Sequence, residues 1–416
     1  MDSDRSVLIM NYSLIIPAFD DGHLLRTRIA GLTLLERLGH VARKSGIPRV
    51  IVLGPQPESR PAEKQSVEFI SRFQDWPKVS PTPCIVLKCG YLPEATFFKS
   101  LTQSIRGSSS SFLLHFPALV LMDGGQESRL QRLWEKGGFE RVYDELEQLS
   151  SSEVLALDGE KVYDVREPEK ITAVENRLFR ELIKDTEGFM SQHLERKISI
   201  AITKQLVNTS VTPNQMTVLS ILIGLAGAFF MGINRGFWQV LGSGLFLFHS
   251  ILDGCDGEIA RIKFTESRRG GLLDFWGDNI VHSAVFLAIA WEWWSQAQIL
   301  FPFFLAALAV SATWGSAGLI YWKTMRSKSG EGPLYTSVSS SGEKNRITTV
   351  MDFLSRRDFI YLVVILSFLG HLDWFLYASA IGTPVFAGVL LWLMIGEKLK
   401  THGERQGEGS PGGKGK

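Results

Sequence analysis

The pattern of apolar and polar positions changes character near the middle of the chain. Up to about residue 200, apolar runs are short and charges interrupt them. Residues 7–19 (VLIMNYSLIIPAF), 49–54 (RVIVLG), 84–88 (CIVLK) and 112–122 (FLLHFPALVLM) read as strands, with helices near 31–46 and 93–106. Strand and helix alternate, which predicts an α/β domain with a mainly parallel sheet. The stretch from Ser6 to Phe19 is too short and mixed for a spanning or signal segment and reads as a buried strand.

From about residue 214 onward, long apolar runs dominate. A helix needs ~20 mostly apolar residues to cross a bilayer. Six segments read as spans: 214–233, 237–257, 279–296, 301–322, 358–371 and 374–396. The fold class expected is therefore an α/β N-terminal cytoplasmic domain followed by an all-α six-transmembrane-helix domain. The expected boundaries are 1–180 for the α/β domain, 185–208 for an interfacial amphipathic helix, 209–398 for the membrane domain and 399–416 for a disordered tail.

Charge orients the spans. The 2–3 connection carries Arg261, Lys263, Arg268 and Arg269, and the 4–5 connection carries Lys323, Arg326, Lys328, Lys344, Arg346, Arg356 and Arg357. The opposite loops hold only Arg235. With six spans every basic cluster falls on one side, so both termini are expected in the cytoplasm, with the chain multi-pass in the cell (inner) membrane. The segment EGFMSQHLERKISIAITKQLV, just before the first span, mixes Phe189, Ile198 and Leu206 with Arg196, Lys197 and Lys204. It predicts a helix lying in the interface, basic on one face.

Composition narrows the function classes. The 416 residues hold 44 Lys plus Arg against 43 Asp plus Glu, a net charge of +1. That excludes a nucleic-acid binder driven by overall positive charge. Cys84, Cys89 and Cys255 form no CxxC pair, which excludes a disulfide scaffold and a structural zinc site.

The second and third spans meet in the sequence LDGCDGEIARIKFTESRRGGLLDFWGDNIV. Asp253, Asp256, Gly257, Ala260 and Arg261 share one helix face, and Asp274 and Asp278 share a face of the next helix. Two antiparallel helices on a tight Gly-containing link can point all four carboxylates into one space. Ionisable groups at membrane depth are costly and usually functional. Clustered carboxylates repel unless cations neutralise them, and hard oxygen ligands suit Mg²⁺ or Mn²⁺. Two such ions can hold a pyrophosphate for in-line displacement. Gly257 and Ala260 leave room for a ligand against the backbone, and Arg261 offers a fork for phosphate oxygens. A transporter is the non-enzyme alternative, but the acids lie near one membrane face rather than at a midplane site between broken spans.

The pattern Asp253-x2-Asp256-Gly257-x2-Ala260-Arg261-x8-Gly270-x3-Asp274-x3-Asp278 resembles the complete signature of the CDP-alcohol phosphotransferase family. The resemblance implies a homodimeric six-helix membrane enzyme that transfers the phospho-alcohol half of a CDP-alcohol to an acceptor alcohol, releasing CMP. It implies metal binding by Asp253, Asp256, Asp274 and Asp278, with Asp278 also the general base. Gly257, Ala260, Arg261 and Gly270 would line the CDP site. Pro213-Asn214-x2-Thr217 matches the family's pattern at the first span, where Asn214 and Thr217 would approach the nucleotide. Arg268, Arg269, Lys197, Arg356 and Arg357 are candidates for holding an anionic acceptor or for anchoring to lipid headgroups. His249 and His282 are assigned no role.

The front half resembles sugar nucleotidyltransferase domains. The junction DVREPEKITAVENRLFRELIKDTEGF resembles that of fused proteins in which an inositol-1-phosphate cytidylyltransferase precedes a di-myo-inositol-phosphate-phosphate synthase. This chain departs from the pattern. The stretch Pro17-Ala18-Phe19-Asp20-Asp21-Gly22-His23 keeps a single Gly where the family has a Gly-rich turn with an Arg. Arg26 or Arg28 is left to substitute for that Arg. His115-Phe116-Pro117-Ala118, read as the position of the metal-binding Asp, contains no carboxylate. The front domain is read as degenerate, with a bifunctional enzyme that also makes its CDP-alcohol from CTP as the alternative.

Overall fold

The computed structural model describes residues 12–19, 21–55, 67–71, 84–105, 110–122, 127–149, 152–155, 162–183, 190–233, 236–322 and 359–407. The chain divides into two compact units, Met1–Leu178 and Phe179–Lys416.

The first unit opens with β1 (Ser13–Pro17), a 3-10 turn (Gly22–Arg26), β2 (Arg28–Ile29), β3 (Leu32–Thr33) and α1 (Leu34–Lys44). There follow β4 (Arg49–Leu53), β5 (Val67–Ile70), β6 (Cys84–Leu87), β7 (Tyr91–Pro93) and α2 (Ala95–Ile105). The unit continues with β8 (Phe112–His115), β9 (Ala118–Leu121), α3 (Glu127–Glu147), β10 (Ser152–Val154), β11 (Val162–Asp164) and α4 (Pro168–Arg180). Seven strands form one sheet in the order β10-β8-β9-β6-β1-β4-β5. β1 runs parallel to both β4 and β6, and only β9 pairs antiparallel to its neighbours. The mainly parallel sheet expected from the alternation of strand and helix is thus present. Ser13 to Pro17 is buried throughout, as a central strand covered on both faces should be.

Local chemistry sets the ends of the elements. Thr33 starts α1 through a capping box: Glu36 N donates to Thr33 Oγ1 at 3.2 Å, and Thr33 N donates to Glu36 Oε2 at 2.8 Å. Arg37 is buried and donates to the carbonyls of Ile29 and Ala30, fixing the turn between β2 and β3. The run Phe112 to Met122 is not one strand. Pro117 cannot donate to a ladder, and the chain folds back there into the β8–β9 hairpin.

The second unit begins with a π turn (Ser191–Glu195) and α5 (Arg196–Leu206). The long helices are α6 (Pro213–Ile233), α7 (Phe237–Ile262), α8 (Arg268–Ala297), α9 (Phe301–Ile320), α10 (Phe359–Phe368) and α11 (Leu372–Gly407). Met231, Phe246, Val285, Ile289, Ala306, Val363 and Leu376 form its core. Small residues let the helices approach closely: a Cβ on Gly242 would stand 2.6 Å from the Gly227 carbonyl oxygen.

Among the described residues, four helices are long and apolar enough to cross a membrane: Pro213–Ile233, Arg268–Ala297, Phe301–Ile320 and Leu372–Trp392. Two expected spans fall short of that standard. α7 has 26 residues but carries Gln239, His249, Asp253, Asp256 and Glu258, all buried in the bundle. α10 has 10 residues among those described, short of the ~20 of a spanning helix, and the chain just before it lies outside the described residues. The 4–5 connection lies outside the described residues. α11 runs as helix to Gly407, into the segment expected to be a disordered tail; the stretch is rich in helix-favouring Lys, Glu, Arg and Gln.

Candidate active site

α7 ends at Ile262 and α8 starts at Arg268, capped by Ser267, whose Oγ accepts from Gly270 N at 3.1 Å. The reversal between them contains no glycine. Phe264 takes the left-handed conformation (φ 53°), while Gly270 and Gly271 lie in the first turn of α8. Because α8 starts well before the expected 279, Asp274 and Asp278 both sit on helix.

The two helix ends bring three carboxylates together. One oxygen each from Asp253, Asp256 and Asp274 lies within 4.8 Å of the others. Asp253 and Asp256 are buried, and Oδ1 of Asp274 is enclosed without a hydrogen-bond partner. Three converging carboxylates, with an enclosed Asp274 oxygen left unpartnered, fit a hard divalent cation. Asp278, one turn further along α8, lies outside this trio. Its Oδ1 faces Nε2 of His249 at 3.6 Å.

The residues of the shorter motif also arrive at the site. Thr217 is buried and its hydroxyl donates to Oδ2 of Asp256. Asn214 is exposed at the start of α6 and abuts Gly270, where a Cβ would stand 2.8 Å from Asn214 Oδ1. Gly257 makes room for Arg261: a Cβ there would stand 3.0 Å from Arg261 Nη1. Ala260 is half-buried on the same helix. Arg268 and Arg269 are exposed on α8 and Lys197 is exposed on α5. Arg356 and Arg357 lie outside the described residues.

Two side chains that the motif reading left aside belong to this region. Nδ1 of His249 lies 2.8 Å from the Ser220 carbonyl oxygen. A carbonyl only accepts, so Nδ1 carries the hydrogen and Nε2 is the atom turned to Asp278. Glu258 is wholly buried on the side of α7 facing α5. Its signal in the sequence was an acid lying off the face that carries Asp253, Asp256 and Arg261. The basic face expected of the interfacial helix is split for the same reason: Arg196 turns inward to Glu258 while Lys197 and Lys204 stay exposed.

In the first unit, a cavity of about 420 Å³ opens beyond the ends of β1 and β6, lined by Pro17, Asp21, Lys88, Cys89, Trp134 and Glu140 among others. Open α/β sheets take ligands at such strand ends. β6, not β8, is the strand beside β1, so His115 to Ala118 form a hairpin turn rather than the crevice position. The crevice position is occupied by Lys88, whose Nζ donates to Glu140 and lies 5.5 Å from the Phe116 ring centre. Burial pushes the Lys88 pKa down and the Cys89 thiol up to about 12. Arg26 and Arg28 are exposed.

Residues 210–397 match the family described as CDP-alcohol phosphatidyltransferase. The helical unit carries a CDP-alcohol phosphatidyltransferase domain. A bifunctional IPC transferase and DIPP synthase from Archaeoglobus fulgidus is 36% identical over 178 residues, 42% of this chain and 34% of that protein. The chain therefore spans about a third of that relative's length. An archaetidylinositol phosphate synthase from Pyrococcus horikoshii is 26% identical over 185 residues, 44% of this chain and 89% of that protein. The solved phosphatidylinositol phosphate synthase of Mycobacterium tuberculosis with CDP-DAG bound aligns at 18% identity and a TM-score of 0.31, covering 47% of this chain and 92% of that one. The CDP-alcohol phosphatidyltransferase domain thus includes every residue of both motifs, from Pro213 to Asp278.

Proposed function

We propose that the helical unit transfers a substituted phosphate from a CDP-alcohol to an acceptor alcohol and releases CMP. The observation that carries this reading is the convergence of Asp253, Asp256 and Asp274 within 4.8 Å across two helix ends. In this reading they bind the metal, two ions in all with Asp278 completing the set. When bound, Mg²⁺ or Mn²⁺ neutralises charge on the pyrophosphate.

The chain's own groups do the rest. Arg261, lying over Gly257, holds phosphate oxygens in its fork. Asn214 and Gly270, packed together, line the nucleotide side with Thr217 and Ala260. Asp278 takes the proton from the acceptor hydroxyl as that oxygen bonds to the donor phosphorus and the bond to CMP breaks. His249 would steady that carboxylate when its ring carries a proton on both nitrogens, Nδ1 toward the Ser220 carbonyl and Nε2 toward Asp278.

We read α7 and α10 as spans as well, giving six, with both termini in the cytoplasm of a multi-pass inner-membrane homodimer. The donor is of the phosphatidyl or phosphoinositol type, and an anionic acceptor would meet Arg268, Arg269 and Lys197. The first unit is read as degenerate. A second reading, cytidylyl transfer by that unit, is favoured by the cavity at the ends of β1 and β6. CMP release by the detergent-solubilised chain with Mg²⁺ or Mn²⁺ tests the main reading. CDP-diacylglycerol and CDP-inositol are offered against a panel of acceptors, with Asp278→Asn as control. No metal-dependent CMP release from any pair counts against it, and CTP turnover in the same preparation decides the second.

A further inference from the structure

The side of α7 turned away from the carboxylate trio carries a buried charge of its own. Glu258 has no exposed surface and lies two residues beyond Asp256. A carboxylate so enclosed is costly unless donors surround it. Three donors do, all from α5. Arg196 Nη1 donates to Oε1 at 2.9 Å, Ser199 Oγ to Oε1 at 2.6 Å, and Thr203 Oγ1 to Oε2 at 2.6 Å. Arg196, Ser199 and Thr203 are spaced i, i+3 and i+7, one face of a helix.

The neighbouring positions of α7 are shaped to the same contact. A Cβ on Gly254 would stand 2.9 Å from Arg196 Nη1, so a side chain there would push the guanidinium from this position. Cys255 Sγ donates to the Ser199 carbonyl oxygen at 3.5 Å. Gly254, Cys255 and Glu258 make one stripe of α7, and Asp253 and Asp256 make another. A helix turns as a rigid body, so the grip on the first stripe fixes where the second points.

We propose that Glu258 is a positioning residue of the transferase: by locking α7 to α5 it sets the angle at which Asp253 and Asp256 meet Asp274. This rests on the reading of the trio as the metal site. α5 is then part of the site's frame and not only an interfacial anchor.

The test uses the full chain in detergent, with Mn²⁺ binding followed by electron paramagnetic resonance alongside CMP release and thermal unfolding. Glu258→Gln keeps the shape and removes the charge. Small misplacements and lost supporting groups cost about 10- to 100-fold. The expected result is Mn²⁺ affinity about 10-fold weaker and kcat lowered more than KM for the CDP-alcohol changes. Thr203→Val removes one donor and should shift both in the same direction by less. Arg196→Gln combined with Glu258→Gln should be no worse than the worse single variant, because the two act as a unit.

A folded Glu258→Gln protein with lowered Tm but unchanged Mn²⁺ affinity and kcat overturns the proposal, since a merely structural contact would behave that way. If Glu258→Gln does not fold, Thr203→Val decides by the same readouts. A wild-type chain that binds Mn²⁺ but releases no CMP sinks the transferase reading while the Mn²⁺ titration still judges Glu258. A wild-type chain that binds no Mn²⁺ overturns the proposal outright.

Discussion

Thr217, in the first turns of α6, donates its hydroxyl hydrogen to the Asp256 carboxylate on α7. The start of one long helix is thereby tied to a member of the carboxylate trio on the next. A donor of this kind orients a ligating carboxylate and holds its second oxygen.

Thr217→Val keeps the shape and removes the donor. CMP release should fall about 10- to 100-fold, with the metal concentration for half-maximal rate moving upward. Metal titrations of the two proteins check this. An unchanged metal requirement would reduce Thr217 to a packing residue.

Asp274 belongs to the trio and Asp278 stands apart beside His249. Asp274→Asn should therefore weaken Mn²⁺ binding strongly. Asp278→Asn should abolish turnover while weakening Mn²⁺ binding less. Paramagnetic resonance titrations paired with single-turnover CMP release separate the two effects. Equal loss of Mn²⁺ by both variants would return Asp278 to the role of plain ligand.

The backbones of α6 and α7 touch at Gly227 and Gly242. A side chain on Gly242 meets the Gly227 carbonyl and Met231 N, which cannot move aside as a flexible side chain can. Gly242→Val should destabilise the helical unit by about 1–3 kcal/mol through overpacking. Thermal unfolding in detergent measures this, and a Tm equal to the wild type would show that the helices part easily.

In the first unit, Arg166 donates to both oxygens of Asp164 at 2.9 and 2.8 Å, and Lys170 adds a bond at 3.0 Å. The Arg166 bonds hold the Asp164 carboxyl well below the usual carboxylate range. A depressed folded pKa gives stability that is fully present above the unfolded value, about 3.9, and is lost as pH falls below it. Asp164→Asn should therefore lose stability at pH 5 yet lose less than the wild type between pH 5 and pH 3. Unfolding curves of the full chain at the two pH values test it. Parallel acid losses in both proteins would rule Asp164 out as the titrating group.

Much of this architecture could be read from the chain alone, because helical and strand periods are local properties. The change from interrupted to continuous apolar runs separates an α/β region from a helical one. The i, i+3, i+4 spacing puts Asp253, Asp256 and Gly257 on one face whatever the helix packs against. The strands near Leu14, Ile51 and Val86 announce themselves by β-branched runs between turn residues.

What the tertiary structure alone decided lies between elements far apart in sequence. Glu258 meets α5 across 55 to 62 positions, a pairing no local pattern encodes. His249 reaches Asp278 only because α7 and α8 fold back at Phe264. Phe112 to Leu121 reads as a single apolar run, and only the pairing of β8 with β9 shows a hairpin. Likewise β6, and not β8, borders β1, which moved the crevice of the first unit from His115 to Lys88. Periodicity says which way a side chain points from its own backbone; packing says what it points at.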